Sequence, residues 1–474
     1  MRSTAPARLV AGLAAIGLVV TSCSGGASNT STSDEPITAS SEVDESDAPT
    51  DNSTPADDDG SDDPADAGDA DTDADEPAEA NDGGANSGSD DATSGDEPVG
   101  FAALGPAAGE PIVIGMVNTE GTPGLDFPEM RTDTDLAVTY LNQHGGMGGR
   151  PVQIEHCVSA GSPETSQACA QELSGKGVEL VMLGLDLFPG YDTFAASGIP
   201  VFGALPVLSA DYSAEALFLT GGNATAMAGV VALAVEKFEA STVGIISADN
   251  PGANSSETAL VGALEKAGLS YVSVKGGDNE TDAGFQGLMR EANSENPDVL
   301  VSLYSDAGCI GAMRGRVLLG IETPMISTAI CGSAEVIDVV GDDALGWSFV
   351  GVGAPADTPA AKAFDELLEP GYGDASSTSL GLGALGIGQV MTLAVVANAV
   401  VAEGGEVTGP VIYDRLSTST DLKNFPNDNI LVCGISESYP SICTFELPIG
   451  EYVAGGEIQT VPGFEAVSVV NYLP

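Results

Sequence analysis

Seven cysteines and two histidines are the side chains of this 474-residue chain best suited to nucleophilic, redox or metal chemistry, and their spacing limits what they can do. His144 and His156 are too few for a His-rich metal site or a Ser-His-Asp arrangement. No two cysteines form a Cys-x-x-Cys pair, a usual spacing for zinc or thiol-redox chemistry. The run Gly381-Leu382-Gly383-Ala384-Leu385-Gly386 satisfies the dinucleotide pattern, but that pattern works only between a strand and a helix. A serine-rich loop, residues 374–379, precedes it instead, so it reads as small residues at a closely packed helix start. Neither a GxSxG elbow nor a GxxxxGK[ST] phosphate loop occurs. The expectation is a protein that is not an enzyme and that carries no cofactor and no metal.

Charge excludes further classes. Fourteen Lys and Arg stand against 70 Asp and Glu, a formal net charge of −56. Phosphate-backbone binding requires clustered cations, so nucleic acid is excluded as a partner. An anionic lipid surface would repel the chain as well, and any membrane attachment must come from something other than a basic face.

The N-terminus supplies such an attachment. Arg2 and Arg8 precede an apolar run, residues 9–20, too short for a bilayer core that takes about 20 residues to span. Residues 1–22 therefore read as a secretion signal. The sequence Val20-Thr21-Ser22-Cys23 resembles the lipobox of bacterial lipoproteins, although that family prefers Leu where Val20 stands. The resemblance implies cleavage before Cys23, lipidation of its thiol, and anchoring on the outer face of the cytoplasmic membrane, at the bacterial cell surface or in the periplasm.

Residues 23–106 follow as a segment rich in Asp, Ala, Ser, Gly, Thr and Pro. Between Asp34 and Glu97 it carries 24 acids and no base. Such a composition cannot bury enough apolar surface to offset its ordering entropy, so a disordered tether is expected. A flexible chain of about 80 residues spans roughly 50 Å root-mean-square. The acids lack the ligand spacing of a calcium loop, and a partner-recruiting acidic tail is the competing reading. The remainder, from residue 101, is acidic in its own right, with 46 acids against 12 bases.

Beyond residue 107 short apolar runs alternate with segments of helical period. Strands are expected over residues 111–117, 151–157, 178–183, from 198, then 242–247, 269–274, 299–304 and 324–327. Helices are expected over 129–143, 163–174, 224–238, 255–267, 283–293 and 308–319. The last third is less regular, with helices over 357–368 and 388–402 and a strand-rich end, residues 429–474. Strand-helix alternation with buried-type strands means parallel sheets covered by helices on both faces. The fold class is α/β, and its length calls for two lobes.

Six cysteines remain after Cys23, and secretion places them where disulfides persist. Of fifteen connectivities, proximity favours Cys157 with Cys169, Cys309 with Cys331 and Cys433 with Cys443. Metal binding is the alternative.

The run Asn142-Gln143-His144-Gly145-Gly146-Met147-Gly148-Gly149-Arg150-Pro151-Val152, set between a helix and the next strand, resembles a segment of the type I periplasmic solute-binding proteins of the leucine/isoleucine/valine-binding group. Ser162-Pro163-Glu164, Gly198-Ile199-Pro200, Glu265-Lys266-Ala267-Gly268, Asn296-Pro297-Asp298-Val299 and Gly320-Ile321-Glu322-Thr323-Pro324 follow in the same order as in that family. The resemblance covers residues 110–474. It implies a two-lobed periplasmic-binding-protein type I fold over 107–474, with a hinge of three crossovers near Gly221, Val350 and Asn429. Lobe 1 would hold residues 107–221 and 351–429, and lobe 2 residues 222–350 and 430–474. The implied function is delivery of a small polar solute, akin to a branched-chain amino acid or an amide, to ABC permease subunits. The alternative is a ligand-sensing or scaffold lipoprotein of the same fold with no transport role.

In open parallel sheets ligands bind outside the carboxyl ends of the strands, where loops and helix N-termini present backbone N–H groups. The candidates at those ends are Asn118, Thr119, Glu120, Asp186, Leu205, Asp249, Asn250, Tyr304, Ser305 and Asp306. Each is weighed against a role as helix cap or solvated loop residue. The chain also departs from the amino-acid-binding pattern. Ala204-Leu205-Pro206-Val207 stands where a hydroxyl usually holds the ligand carboxylate, Thr328-Ala329-Ile330 where an acid pairs the ammonium, and Pro251-Gly252 where Tyr-Gly is expected.

Overall fold

The structure is a computed structural model that describes residues 105–122, 125–353, 358–372 and 382–474. The secretion signal, Cys23, nearly all of the tether, Gly381 and the loop 374–379 lie outside the described residues.

The first sheet grows from short, largely buried apolar runs, with only one edge strand half exposed. β1 (Ile112–Thr119), β2 (Val152–Ser159), β3 (Leu180–Leu183), β4 (Val201–Gly203) and β5 (Leu217–Phe218) lie in the order β2-β1-β3-β4-β5 with every neighbour parallel. Along β1, Ile112, Ile114 and Met116 enter one core while Val117 enters another, so period-two alternation divides its side chains between two helical layers. The crossovers are α1 (Pro128–Gln143), α2 (Pro163–Lys176) and α3 (Tyr191–Ala196). Ser162 caps α2 in a reciprocal capping box with Thr165, and Gly177 closes it in the left-handed conformation.

A second sheet follows α4 (Gly222–Glu236). β6 (Thr242–Ala248), β7 (Ser270–Gly276), β8 (Val299–Leu303), β9 (Met325–Thr328) and β10 (Trp347–Val350) are joined by α5 (Pro251–Ala267), α6 (Asp282–Ala292), α7 (Asp306–Leu319) and α8 (Ala334–Val340). These strands pair in parallel, and β11 (Glu446–Val453) extends the sheet antiparallel to β10. β12 (Glu457–Thr460) and β13 (Ala466–Ser468) both run antiparallel to β11.

Between β10 and β11 the chain returns to the first sheet. α9 (Pro359–Tyr372), α10 (Gly383–Ala402) and α11 (Gly409–Ser417) place Phe364, Leu367, Val390 and Ile412 in the core that holds Ile112 and Ile114. Leu431 and Cys443 join that core, and Ile442 bridges Phe218 of β5. α10 is long and apolar enough to cross a membrane, but 78% of its most apolar stretch is buried within the domain, as in a core helix. At its start a Cβ on Gly383 would lie 1.8 Å from Asp133 Oδ2, and one on Gly386 2.4 Å from Thr134 Oγ1. The glycine pattern therefore serves the close approach of α10 to α1.

The cysteines form Cys157–Cys169, Cys309–Cys331 and Cys433–Cys443. Several elements differ from the sequence expectation. α5 begins at Pro251 rather than at 255, and α10 at Gly383 rather than at 388, because a proline and a glycine open them. β5, α8, β10 and α11 are additional short elements. Residues 429–445 are irregular with isolated bridges, and the expected strands start only at β11.

α4 is the tightest joint. Its apolar residues Val230, Val231 and Leu233 share one core with Val181 and Val201 of the first sheet and Val243 and Ile245 of the second. A Cβ on Gly229 would sit 2.7 Å from Val350 and 2.8 Å from Leu447. Gly229→Val is expected to lower the unfolding free energy by about 1–3 kcal/mol through overpacking. Urea titration checks this, and an unchanged midpoint would show that the joint has room to spare.

Candidate ligand-binding cleft

A cleft of about 870 Å³ lies between segments that follow strands of the two sheets. One wall is the loop after β4, with Leu205, Pro206, Val207, Leu208 and Ser209, backed by Tyr212. The opposite wall is a face of α5, where Pro251, Asn254, Ser255, Thr258, Ala259 and Gly262 recur at helical spacing. The first turn of α4 contributes Asn223 and Ala224, and Tyr439 and Pro474 also line the space. Asn223 lines in addition a cavity of about 70 Å³ at the carboxyl ends of β8 and β9, with Asn250, Ser256, Ser302, Tyr304, Ser305 and Thr328 among its walls.

The loop after β4 is held from behind by a buried acid. The Asp211 carboxylate accepts from the N–H groups of Val207 at 2.7 Å and Leu208 at 2.8 Å, and from the Tyr191 hydroxyl at 2.8 Å. Burial raises its pKa, these hydrogen bonds opposing, and burial likewise raises that of the Tyr191 phenol, with the Asp211 and Asp186 charges adding to the effect. Asp186 accepts from Ser166 Oγ at 2.5 Å and from the Phe188 N–H at 3.3 Å, while its other oxygen is buried without a partner. Burial is the largest cause of its raised pKa.

The ten strand-end candidates separate by position. Leu205 lines the large cleft, and Asn250, Tyr304 and Ser305 line the small cavity. The other six line neither. Asn118 is buried and works as a brace, accepting from the Leu185 N–H at 3.1 Å and donating to Phe127 O at 2.8 Å and Glu120 at 3.1 Å. Thr119 pairs with the Ser159 hydroxyl at 3.0 Å, and Glu120 takes both Nε and an amino group of Arg131. Asp249 is exposed beside Asn254, and Asp306 begins α7 at a positive φ of 41°.

Those in the walls have structural duties too. Asn250 caps α5 by accepting from the Ala253 N–H at 2.8 Å. Tyr304 packs edge-on against Phe285 with its hydroxyl beside Gly276, unpartnered, and burial pushes its pKa up to about 12. Ser305 is exposed at the α7 N-cap and makes no side-chain capping bond. Sequence reasoning missed the α5 face, Asn223 and Asp211. A signal for the first existed: starting the helix at Pro251 puts Asn254, Ser255 and Thr258 on one small polar stripe opposite Leu260 and Leu264. Among the described residues no three His, Cys, Asp or Glu side chains come together to hold a metal ion.

Two parallel-dominated sheets, a core shared between them and a cleft at their strand ends define a two-lobed binding protein of type I topology. A family model described as periplasmic binding protein matches residues 111–432, and the chain belongs to that family. Among solved structures it is similar to an ABC transporter substrate-binding protein from Sphaerobacter thermophilus, at 18% identity and a TM-score of 0.58 over 77% of this chain and 100% of that one. A putative branched-chain amino acid ABC transporter protein from Rhodospirillum rubrum gives 16% and 0.57, over 74% of this chain and 100% of that one. A solute-binding protein from R. palustris, solved with 4-hydroxybenzoate, gives 18% and 0.50, over 77% of this chain and 98% of that one. At these identities the likeness is one of fold. No curated protein matches the sequence. The family implies an extracytoplasmic location and a small-molecule ligand.

An acid that is harder to ionise folded than unfolded weakens the fold as pH rises above its unfolded pKa, near 4, because the unfolded chain then releases its proton first. Asp186 is such a group. The unfolding temperature of the native chain relative to an Asp186→Asn variant is expected to fall between pH 4 and pH 7. Parallel curves across that range would show that Asp186 ionises as freely in the fold as outside it.

Proposed function

We propose that this chain is the lipid-anchored, extracytoplasmic solute-binding subunit of an ABC importer, taking up a small polar solute between two lobes. The observation that carries the reading is the 870 Å³ cleft set at the strand ends of two sheets, one wall from each. Concave, largely preformed sites of several hundred Å³ at such strand ends are where small ligands bind. Lobe 1 then comprises residues 107–221 and 351–443 and lobe 2 residues 222–350 and 444–474. Hinge crossings fall near Gly221 and Val350. A third crossing after Cys443 fits better than one near Asn429, since Leu431 and Cys443 pack in the first-sheet core. Asn118, Thr119, Glu120, Asp186, Asp249 and Asp306 act as braces and loop residues, and Leu205, Asn250 and Ser305 face the solute.

Closure on a ligand is a population shift toward the more compact state. Thermal-shift screening of amino acids, amides, urea and small carboxylates is expected to find a compound that raises the unfolding temperature and lowers the radius of gyration in solution scattering. Ser255→Arg, on the α5 wall, is expected to weaken binding of that compound at least tenfold without lowering the stability of the free protein. A panel with no stabilising member, or a Ser255→Arg variant that binds normally, would count against the cleft as the binding site.

Anchoring has its own test. Two acyl chains hold a protein stably on a membrane, so Cys23→Ser is expected to move the protein from the membrane fraction to the soluble one. Retention in the membrane fraction would remove the lipid anchor from the reading.

A further inference from the structure

Resting on that reading, we propose that the solute carries no anionic group and has an apolar body with amide or hydroxyl groups, and that amino-acid zwitterions and carboxylates are discriminated against. From residue 101 on the chain carries 46 acids and 12 bases. Even so, among the described residues no Asp, Glu, Lys, Arg or His lines the 870 Å³ cleft or the 70 Å³ cavity beside it. Taking an ion out of water costs several kcal/mol unless a counter-charge and hydrogen bonds replace its hydration. No Lys, Arg or His is present in these walls to replace the hydration of an anion.

The nearest acids are committed elsewhere. Asp211 turns its carboxylate to the backbone of Val207 and Leu208, and Asp186 to Ser166 and Phe188, behind the loop and away from the lining. Asp249 and Asp306 are exposed and line neither space. An anionic solute meets a second obstacle, because the acidic surface repels it on approach.

What the walls do present is complementary to a neutral molecule. Apolar Leu205, Val207 and Leu208 face the amides and hydroxyls of Asn223, Asn254 and Ser255 across the cleft. In the small cavity Ser302 Oγ is buried with no hydrogen-bond partner, a polar group open to an amide or hydroxyl of the solute. A neutral ligand satisfies these groups with no charge to desolvate.

The test uses full-length protein and matched probes that differ in charge: 4-hydroxybenzamide against 4-hydroxybenzoate and 4-hydroxybenzylamine, and N-acetylleucinamide against leucine, by calorimetry and thermal shift. The neutral member of a series is expected to bind at least tenfold more tightly than its carboxylate or zwitterionic partner. Asn223→Asp, which places a carboxylate at the N-terminus of α4 where a helix tolerates it, is expected to raise affinity for the amine at least tenfold relative to the amide. Tighter binding of leucine or 4-hydroxybenzoate to the native chain overturns the charge inference and leaves solute binding standing. Failure of every probe, and of a wider panel balanced for charge, overturns solute binding itself.

Discussion

The structure depends on one helix buried on all sides. α4 carries apolar or small residues around its whole circumference, with Ala226, Ala228, Val231, Ala232 and Leu233 fully enclosed. A helix of that kind cannot lie on a surface, so it is enclosed where the layers of the two sheets meet. Its small residues set how closely they meet, most severely at Gly229, where Val350 and Leu447 arrive from the second sheet. Its first turn then opens into the space left between the strand ends. The cleft is in this sense the uncovered end of the same joint, and Asn223 is placed there by packing fixed less than two turns away.

Charge is distributed by a complementary rule. With few bases available, the cations sit at joints between elements rather than in the binding walls. Arg131 ties α1 to Glu120 after β1, Lys237 after α4 reaches Glu451 on β11, and Arg150 pairs Glu179 while donating to the carbonyls of Glu110, Pro111 and Val407. Arg316 is nearly buried and donates to the carbonyls of Leu345, Thr323 and Glu322, burial lowering its pKa. Acids do similar work. Asp298 accepts from the backbone and hydroxyls of Ser241 and Thr242, which hold its pKa at about 2. Exposed pairs of this kind add little stability singly.

The alternation of elements was legible because fully buried strands such as β1, β3 and β8 are short apolar runs with no competing period, bounded by Gly, Pro or Asn. Short elements were not. β10 and α8 follow one another within residues 334–350, where Ala334 to Val340 is too brief for a helical period to separate from a strand. Residues lining the cleft and the small cavity were legible only as strand ends. That rule found Leu205, Asn250, Tyr304 and Ser305, yet it cannot distinguish a residue facing solute from one bracing a loop. Asn118 shows the difficulty: a polar residue ending a strand is also the group best placed to satisfy the N–H of Leu185 and the carbonyl of Phe127. The α5 wall was hidden because its polar stripe lies on a helix, at spacing that reads as ordinary solvent exposure.

A disulfide ties together two segments that wall the small cavity. Cys309 lies in the first turn of α7 and Cys331 in the loop after β9, so their bond joins the two segments whose neighbours Ser305, Thr328 and Ile330 line the small cavity. Both sulfurs also lie within 3.5 Å of the Tyr304 carbonyl oxygen, the residue at the cavity floor. The bond closes a loop of 22 residues in sequence, which by chain entropy is worth about 3 kcal/mol against the unfolded state. Its second consequence is local. Two loops that would otherwise sample many arrangements are tied at the point where they must present hydroxyls together, so less ordering remains for a ligand to impose. The extracytoplasmic location that the family implies is one where such a bond stays oxidised.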